Sequence, residues 1–285
     1  MNAAALLDGY LRRLELEAEP PSVDALDGLL RAHVEHVAWE TVWIHEGETW
    51  GLDPMESVAR LATRGRAGYC YHHNGALAWA LDQLGYRVHR HAGAVHGATG
   101  PGPDGFGNHL VLTVTDLPSA DNPDGTWYVD AGTGDAVDGP LPLRVGAVSD
   151  SVMRCELDAS SFARGDWTLR HDPRGAFAAM TWEVDEVELD HFTATHHHLS
   201  GDADSTFVQW IVAFRREPDR LHRLQGLGYR RYGDSEHRQT IESSTELFEL
   251  LADVFGIADI DATCQRSIWD RAAAAHEAFM RANSR

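Results

Sequence analysis

The chain is 285 residues long, carries 24 Lys and Arg against 44 Asp and Glu, and has a formal charge of -20. With no basic patch legible in the linear sequence, that charge argues against nucleic acid and anionic membrane surfaces as partners. An ordinary apolar content and three cysteines that are odd in number and far apart, Cys70, Cys155 and Cys264, describe a globular chain of one to three packed units without a disulfide framework or a zinc-knuckle spacing.

The first residues, Met1 to Asp8, lack the basic region and the long apolar run of a signal peptide. No later stretch is long and apolar enough to span a bilayer, so a soluble cytoplasmic protein is expected. Leu6, Leu7, Tyr10, Leu11 and Leu14 fall on one helical face, after which Pro20-Pro21 break the chain. Ser22 then caps a second helix with Leu26, Leu29, Leu30, Val34 and Val37 on its stripe. Asp53-Pro54-Met55-Glu56 starts a third by cap, first-turn proline and following acid, and Met55, Val58, Leu61 and Ala62 form its inner face. A fourth helix runs from Cys70 through Leu77, Leu81 and Leu84 to a stop at Gly85, closing a helical unit.

Beyond Gly85 the period changes to two, with Gly, Pro, Asn and Asp between short runs, as in antiparallel strands. Residues 87–95, 108–115, 126–131, 167–170 and 180–184 are the expected strands. The loop 97–105 contains GxGxxG at Gly100, Gly102 and Gly105, but its prolines and the strand that follows it rule out a dinucleotide fingerprint. Residues 206–214 read as a strand, and 243–255 and 267–285 as helices. Trp269, Ala272, Ala273, His276, Phe279 and Met280 have the spacing of a docking face. His196-His197-His198 reads as part of a polar loop, and Cys155 and Cys264 as structural.

The chemistry centres on Cys70. A cysteine at a helix start meets unpaired N–H groups and the positive end of the helix dipole, a setting that favours thiolate. A cysteine nucleophile also needs a base and a group to orient it. His109 opens the apolar run His109-Leu110-Val111-Leu112, and Asp130 closes Trp127-Tyr128-Val129-Asp130 just before glycines, so neighbouring strands could bring both over Cys70. Local pattern alone also fits a buried structural cysteine, a strand-end histidine and a turn aspartate. His33 and His36 lie a helical turn apart without the HExxH arrangement, and no metal site is expected.

Taken together these residues resemble the arylamine N-acetyltransferase family. Its signature R-x-G-x-C with Asn four residues on is met by Arg66, Gly68, Cys70 and Asn74; then come the strand-start His109 and the D-x-G-x-G of Asp130, Gly132 and Gly134. The segments 31–41, 140–143 and 207–209 extend the resemblance over nearly the whole chain. It implies an α+β fold with a cysteine-protease-like core: an N-terminal helical bundle (1–85) with the nucleophile, a central antiparallel β-barrel (86–195) with the His and Asp, and a C-terminal α/β lid (196–285). It further implies ping-pong acyl transfer from acetyl-CoA, a co-substrate and not a resident cofactor, through Cys70 to an arylamine or hydrazine. His109 is then the base and Asp130 its orienting group. By the same resemblance Trp39, Tyr69, Tyr71, Thr133 and Phe207 are expected to bind substrate, and Gly132 and Gly134 the cofactor.

Two departures bear on the acceptor. Trp39-Glu40-Thr41 replaces Phe-Glu-Asn, and Thr133 stands where the family has a pocket-lining Phe, which removes an aromatic wall. His73 stands where an acid is common, and His72 and His73 read as exposed first-turn positions. An amide synthase of the same family, acting on a polyketide chain without coenzyme A, a cysteine hydrolase and a noncatalytic binding protein are the alternatives.

Overall fold

A computed structural model describes residues 2–103, 105–135, 137–149 and 152–283. Asp104 of the Gly/Pro loop and Ser284–Arg285 of the expected last helix lie outside the described residues.

Helices α1 (Ala3–Arg13), α2 (Val23–His36), α4 (Pro54–Arg64) and α5 (Cys70–Leu84) occupy the four expected stretches; α2, α4 and α5 begin at the signals of Ser22, Asp53 and Cys70 and α5 stops at Gly85, whereas α1 ends at Arg13, well before Pro20-Pro21. Asn2, Ser22 and Asp53 side chains accept from the backbone N–H of Ala5, Ala25 and Met55. Gly65 and Gly85 close α4 and α5 in left-handed backbone. Between α2 and α4 lie two elements too short to have a period, β1 (Trp39–Glu40) and α3 (Val42–Glu46). Met55, expected inside, is 39% exposed at the edge of α4.

Helix α5 is the buried centre. Every residue from Cys70 to Ala78 is buried, and Leu77 and Leu81 are fully so; burying such a side chain is worth about 1.5–3 kcal/mol. A helix surrounded on all sides has no solvent face on which to leave polar groups. His72 and His73, expected exposed, are therefore buried like their neighbours.

The main sheet has eight antiparallel strands: β2 (Arg87–His96), β3 (His109–Thr115), β4 (Trp127–Val129), β5 (Leu141–Pro142), β6 (Gly146–Ser149), β7 (Arg154–Ala159), β8 (Trp167–His171) and β9 (Ala179–Glu186). Their order is β5-β4-β3-β2-β9-β8-β7-β6. The two edges, β5 and β6, are joined by only three residues, which span at most about 14 Å. The sheet therefore curls into a nearly closed barrel.

A 3₁₀ turn (Leu189–Phe192) leads into α6 (Thr193–Gly201) and α7 (Thr206–Gln209). His196–His198 thus lie in a helix, not a polar loop. The expected strand 206–214 divides: Ser205 caps α7 by accepting from the Phe207 N–H, and only β10 (Val212–Glu217) is extended. β10 joins β11 (Arg220–Gln225), β12 (Gly228–Tyr232) and β13 (His237–Thr240), and β1 completes a second sheet, β1-β10-β11-β12-β13. Helices α8 (Ser244–Asp253) and α9 (Ala262–Asn283) follow. Ile268 and Ala272 form the buried face of α9, while Phe279 and Met280, expected to dock, are 53% and 50% exposed. Among the described residues no helix is long and apolar enough to cross a membrane.

Candidate active site

Cys70 is the first residue of α5 and is a free thiol, 4% exposed. The chain arrives through Arg66, whose guanidinium is buried among Glu40, Glu46 and Asp259 at 3.2, 2.7 and 3.2 Å. Pairing at both ends of the Arg66-Ala67-Gly68 turn fixes where the helix starts, because Glu40 N–H also donates to Gly68 O at 2.7 Å.

Strands β3 and β4 pair with Leu112 opposite Val129 and Val114 opposite Trp127, which sets the end of β4 beside the start of β3. His109 Nε2 there donates to Asp130 Oδ2 at 2.7 Å, with both residues buried. Asp130 Oδ2 also accepts from Tyr128 Oη at 2.9 Å, and its Oδ1 accepts from Asn74 Nδ2 at 2.8 Å and Gly132 N at 2.7 Å. Four donors on one carboxylate hold it ionised. Burial alone would raise the Asp130 pKa, but His109, Asn74 and Tyr128 outweigh it and hold it below the ordinary value. For His109 burial again opposes the charge; Asp130 outweighs it, Cys70 adds to the effect, and the pKa is raised to about 10. With Nε2 committed to Asp130, Nδ1 is the ring nitrogen left for the Cys70 sulfur.

The two glycines of the motif are sterically required. A Cβ on Gly132 would lie 2.8 Å from Cys70 O and 2.9 Å from Cys70 Cα, so only glycine lets the loop rest on the helix start. Gly134 has φ +77° and packs under the Phe214 ring. Gly132 lines the cavity beside Cys70, whereas Gly134 lies behind it.

That cavity measures about 260 Å³ and is walled by Trp39, Thr133, Phe177, Phe207 and Phe214, with Cys70 and His109 at its floor. Of the expected substrate residues, Trp39, Thr133 and Phe207 line it. Tyr69 and Tyr71 do not: both are fully buried behind Cys70, Tyr69 Oη donating to His196 Nδ1 at 2.7 Å and Tyr71 Oη to Gly107 O at 2.6 Å. His196 Nε2 in turn donates to Trp50 O, which ties α6 to the helical unit. Thr133 offers no ring, yet Phe177 supplies one from the β8–β9 hairpin and Phe214 another from β10. Tyr128 was legible as a partner of Asp130, since residues two apart on a strand share a face; Phe177 and Phe214 carry no local signal.

His33 and His73 form a chain and not a ligand pair. His73 Nε2 faces Ala38 O at 3.2 Å and can only donate there, so His73 Nδ1 accepts from His33 Nε2 at 2.9 Å and His33 Nδ1 accepts from Tyr10 Oη at 2.7 Å.

Beside the first cavity lies a second of about 370 Å³, lined by Trp210, Arg223, Gln225, Arg230, His276 and Phe279, so Arg223 and Gln225 border both. The sheet register runs Trp39, Phe214, Arg223, Arg230, Arg238 across five strands. Like charges directly opposed across strands are unfavourable unless an anion lies over them. Among the described residues neither Arg223 nor Arg230 has an ion-pair partner. The sheet assembles a basic row that the linear sequence did not reveal.

Residues 22–262 match the family model for N-acetyltransferase. The arylamine N-acetyltransferase of Mycolicibacterium smegmatis is 28% identical over 268 residues, 88% of this chain and 91% of that protein. The human arylamine N-acetyltransferase 1 is 23% identical over 279 residues, 88% of this chain and 94% of that protein. Among solved structures, that of the Mycobacterium marinum arylamine N-acetyltransferase in complex with CoA superposes with a TM-score of 0.81 at 27% identity, over 93% of this chain and 98% of its own.

Proposed function

We propose an acyl transfer through Cys70, proceeding from the fact that this chain belongs to the arylamine N-acetyltransferase family. Acetyl-CoA is the donor and an aromatic amine or hydrazine the acceptor. The observation that carries the reading is the continuous contact from Asn74 and Tyr128 through Asp130 to His109, beside a free cysteine at a helix start.

In the first half-reaction Cys70 Sγ, its proton held by His109 Nδ1, attacks the thioester carbonyl carbon. The bond to the coenzyme A sulfur breaks, and coenzyme A leaves as the thiol with the proton from His109. In the second, the amine nitrogen attacks the Cys70 thioester, gives a proton to His109 Nδ1, and the Cys70 sulfur departs. Asp130 stabilises the imidazolium and fixes the ring in one orientation, and backbone N–H groups at the start of α5 stabilise the oxyanion. The first step exchanges one thioester for another; only amide formation is strongly downhill.

In this reading residues 1–85 carry the nucleophile, 86–195 the base and its orienting acid, and 196–285 a wall of the cleft. The Arg223–Arg230 row beside the acyl cavity supports a donor that carries phosphates, which favours coenzyme A over the phosphate-free acyl chain of an amide synthase. Incubation with acetyl-CoA and no acceptor should add one acetyl group at Cys70, read by peptide mass, and none in Cys70→Ala. An unacetylated Cys70 in folded protein would reject acetyl-CoA as donor.

A further inference from the structure

The barrel holds a second buried histidine–carboxylate pair, away from His109. His171, at the end of β8, has a fully buried side chain, and its Nε2 lies 3.2 Å from Asp135 Oδ1. The other ring nitrogen, Nδ1, faces Asp172 O at 3.2 Å. Nδ1 thus meets a carbonyl oxygen, while Nε2 and Asp135 Oδ1 stand at ion-pair distance without the alignment of a hydrogen bond. Asp172 itself is occupied by Arg174 at 2.8 Å, so the carboxylate left facing the Nε2 edge of the His171 ring is Asp135, which against the effect of burial raises the His171 pKa.

Asp135 does a second thing. Its Oδ2 accepts from the backbone N–H of Ala176 at 2.7 Å, inside the hairpin that joins β8 to β9. One carboxylate, located two residues beyond the cavity-lining Thr133, therefore grips both the foot of the hairpin at His171 and its tip at Ala176. The tip is held further by Gly175 N donating to Asp172 O at 2.9 Å and by Tyr232 of β12 donating to Arg174 O at 3.3 Å. The next residue is Phe177. Its ring stands edge-on to His171, centroids 4.4 Å apart at 80°, and lines the cavity above Cys70 with Trp39, Phe207 and Phe214.

We infer that Phe177 is a specificity residue that selects flat aromatic amines, and that Asp135 and His171 are positioning residues that hold its ring in the cavity wall. The inference rests on the acyl-transfer reading for its reaction and names the acceptor class for the same site. A ring delivered by a hairpin is useful only if its direction is fixed, because a free tip would let Phe177 turn out and collapse the pocket selectivity. The buried pair supplies that fixing from the loop that also carries Thr133. The face of an arylamine is recognised by packing between rings, which a small aliphatic hydrazine cannot exploit.

The test compares the native chain with Phe177→Ala, Phe177→Tyr, Asp135→Asn and the double variant Asp135→Asn/Phe177→Ala. Acetylation of Cys70 by acetyl-CoA is measured in each variant, so that any loss toward the donor is divided out before the acceptors are compared. The KM for 4-methoxyaniline should rise about tenfold in Phe177→Ala, while that for methylhydrazine stays unchanged, and Phe177→Tyr should restore the native value. Asp135→Asn should reproduce the loss for the aromatic acceptor, and the double variant should be no worse than Phe177→Ala alone. Equal losses for both acceptors, or additive losses in the double variant, would overturn the inference. Should Cys70 of the native chain resist acetylation, the acyl-transfer reading fails by itself. The binding of 4-methoxyaniline, followed by quenching of tryptophan fluorescence, then decides: a tenfold weaker Kd in Phe177→Ala supports the role of Phe177, and an unchanged Kd rejects it.

Discussion

Asn74, one turn of helix beyond Cys70, donates its side-chain amide to Asp130 Oδ1 at 2.8 Å. The same Nδ2 donates to Leu110 O at 2.7 Å, and Oδ1 accepts from Ala131 N at 2.9 Å. One side chain on the nucleophile's helix therefore holds the residue after His109 and the residue after Asp130, and sets the relative position of all three candidate catalytic groups.

Replacing Asn74 with Ala leaves Ala131 N–H and one Asp130 lone pair buried without a partner, each at about 1–3 kcal/mol. Urea unfolding should show a loss of that order. Alkylation of Cys70 by iodoacetamide should slow in the part that remains folded, and unaltered stability together with unaltered alkylation would contradict the role.

The His109–Asp130 pair should make stability depend on pH in a definite sense. The folded His109 pKa is raised from its ordinary 6.5 to about 10, so its contribution is complete below 6.5 and is lost as pH climbs through 10. Asp130 is held below its ordinary 3.8, so its contribution is lost only as pH falls beneath that value. The gap in unfolding free energy between the native chain and His109→Gln should narrow steadily from pH 7 to pH 10. At neutral pH, His109→Ala and Asp130→Ala should each suppress alkylation of Cys70.

The buried chain Tyr10–His33–His73 has the opposite sense. Burial lowers both histidines, His73 to about 4, so their stabilisation is present above the ordinary 6.5 and is lost as pH falls toward 4. Tyr10→Phe removes the hydroxyl that donates to His33 Nδ1 and should cost about 1–3 kcal/mol at pH 7. Unfolding midpoints measured from pH 7 to pH 4 should fall less steeply in His73→Gln than in the native chain.

Arg66 is buried against Glu40, Glu46 and Asp259. Arg66→Met strands two nearly buried carboxylates and should cost about 3–5 kcal/mol, measured by denaturant unfolding. Arg66→Lys should recover only part, because an ammonium cannot fork between Glu40 and Glu46.

Arg223 and Arg230 test the donor. Arg223→Gln with Arg230→Gln should raise the KM for acetyl-CoA about tenfold, as expected for lost charge-assisted contacts of about 1.5–3 kcal/mol. The KM for a phosphate-free acetyl-pantetheine donor should stay as it is, and the salt dependence seen with acetyl-CoA should flatten. Equal effects on the two donors would remove the row from phosphate recognition.

What could be read from residue order is what is encoded locally. Capping groups at Ser22 and Asp53, the glycine stop at Gly85 and the period-two runs around His109 and Asp130 announce helices, a helix start at Cys70 and strand ends, because each depends on a few neighbouring residues. The motif order Cys70, His109, Asp130 was legible for the same reason. Elements of two to five residues were not: Trp39–Glu40 pairs with Phe214 and Ala213 far along the chain, and Val42–Glu46 is a helix too short to show a period.

Burial and register were decided only by the tertiary structure. His72 and His73 look like surface residues until α5 is packed on all sides, and Tyr69 and Tyr71 look like pocket residues until their hydroxyls are taken up by His196 and Gly107. Thr133 suggests a missing aromatic wall until Phe177 and Phe214 arrive from distant strands. Arg223, Arg230 and Arg238 are scattered in an acidic chain, and strand pairing alone lines them up. Sequence determines which groups are present and how the chain turns locally, whereas a cavity wall, a buried charge pair and a charged row are sums over residues that only long-range packing brings within a few ångströms.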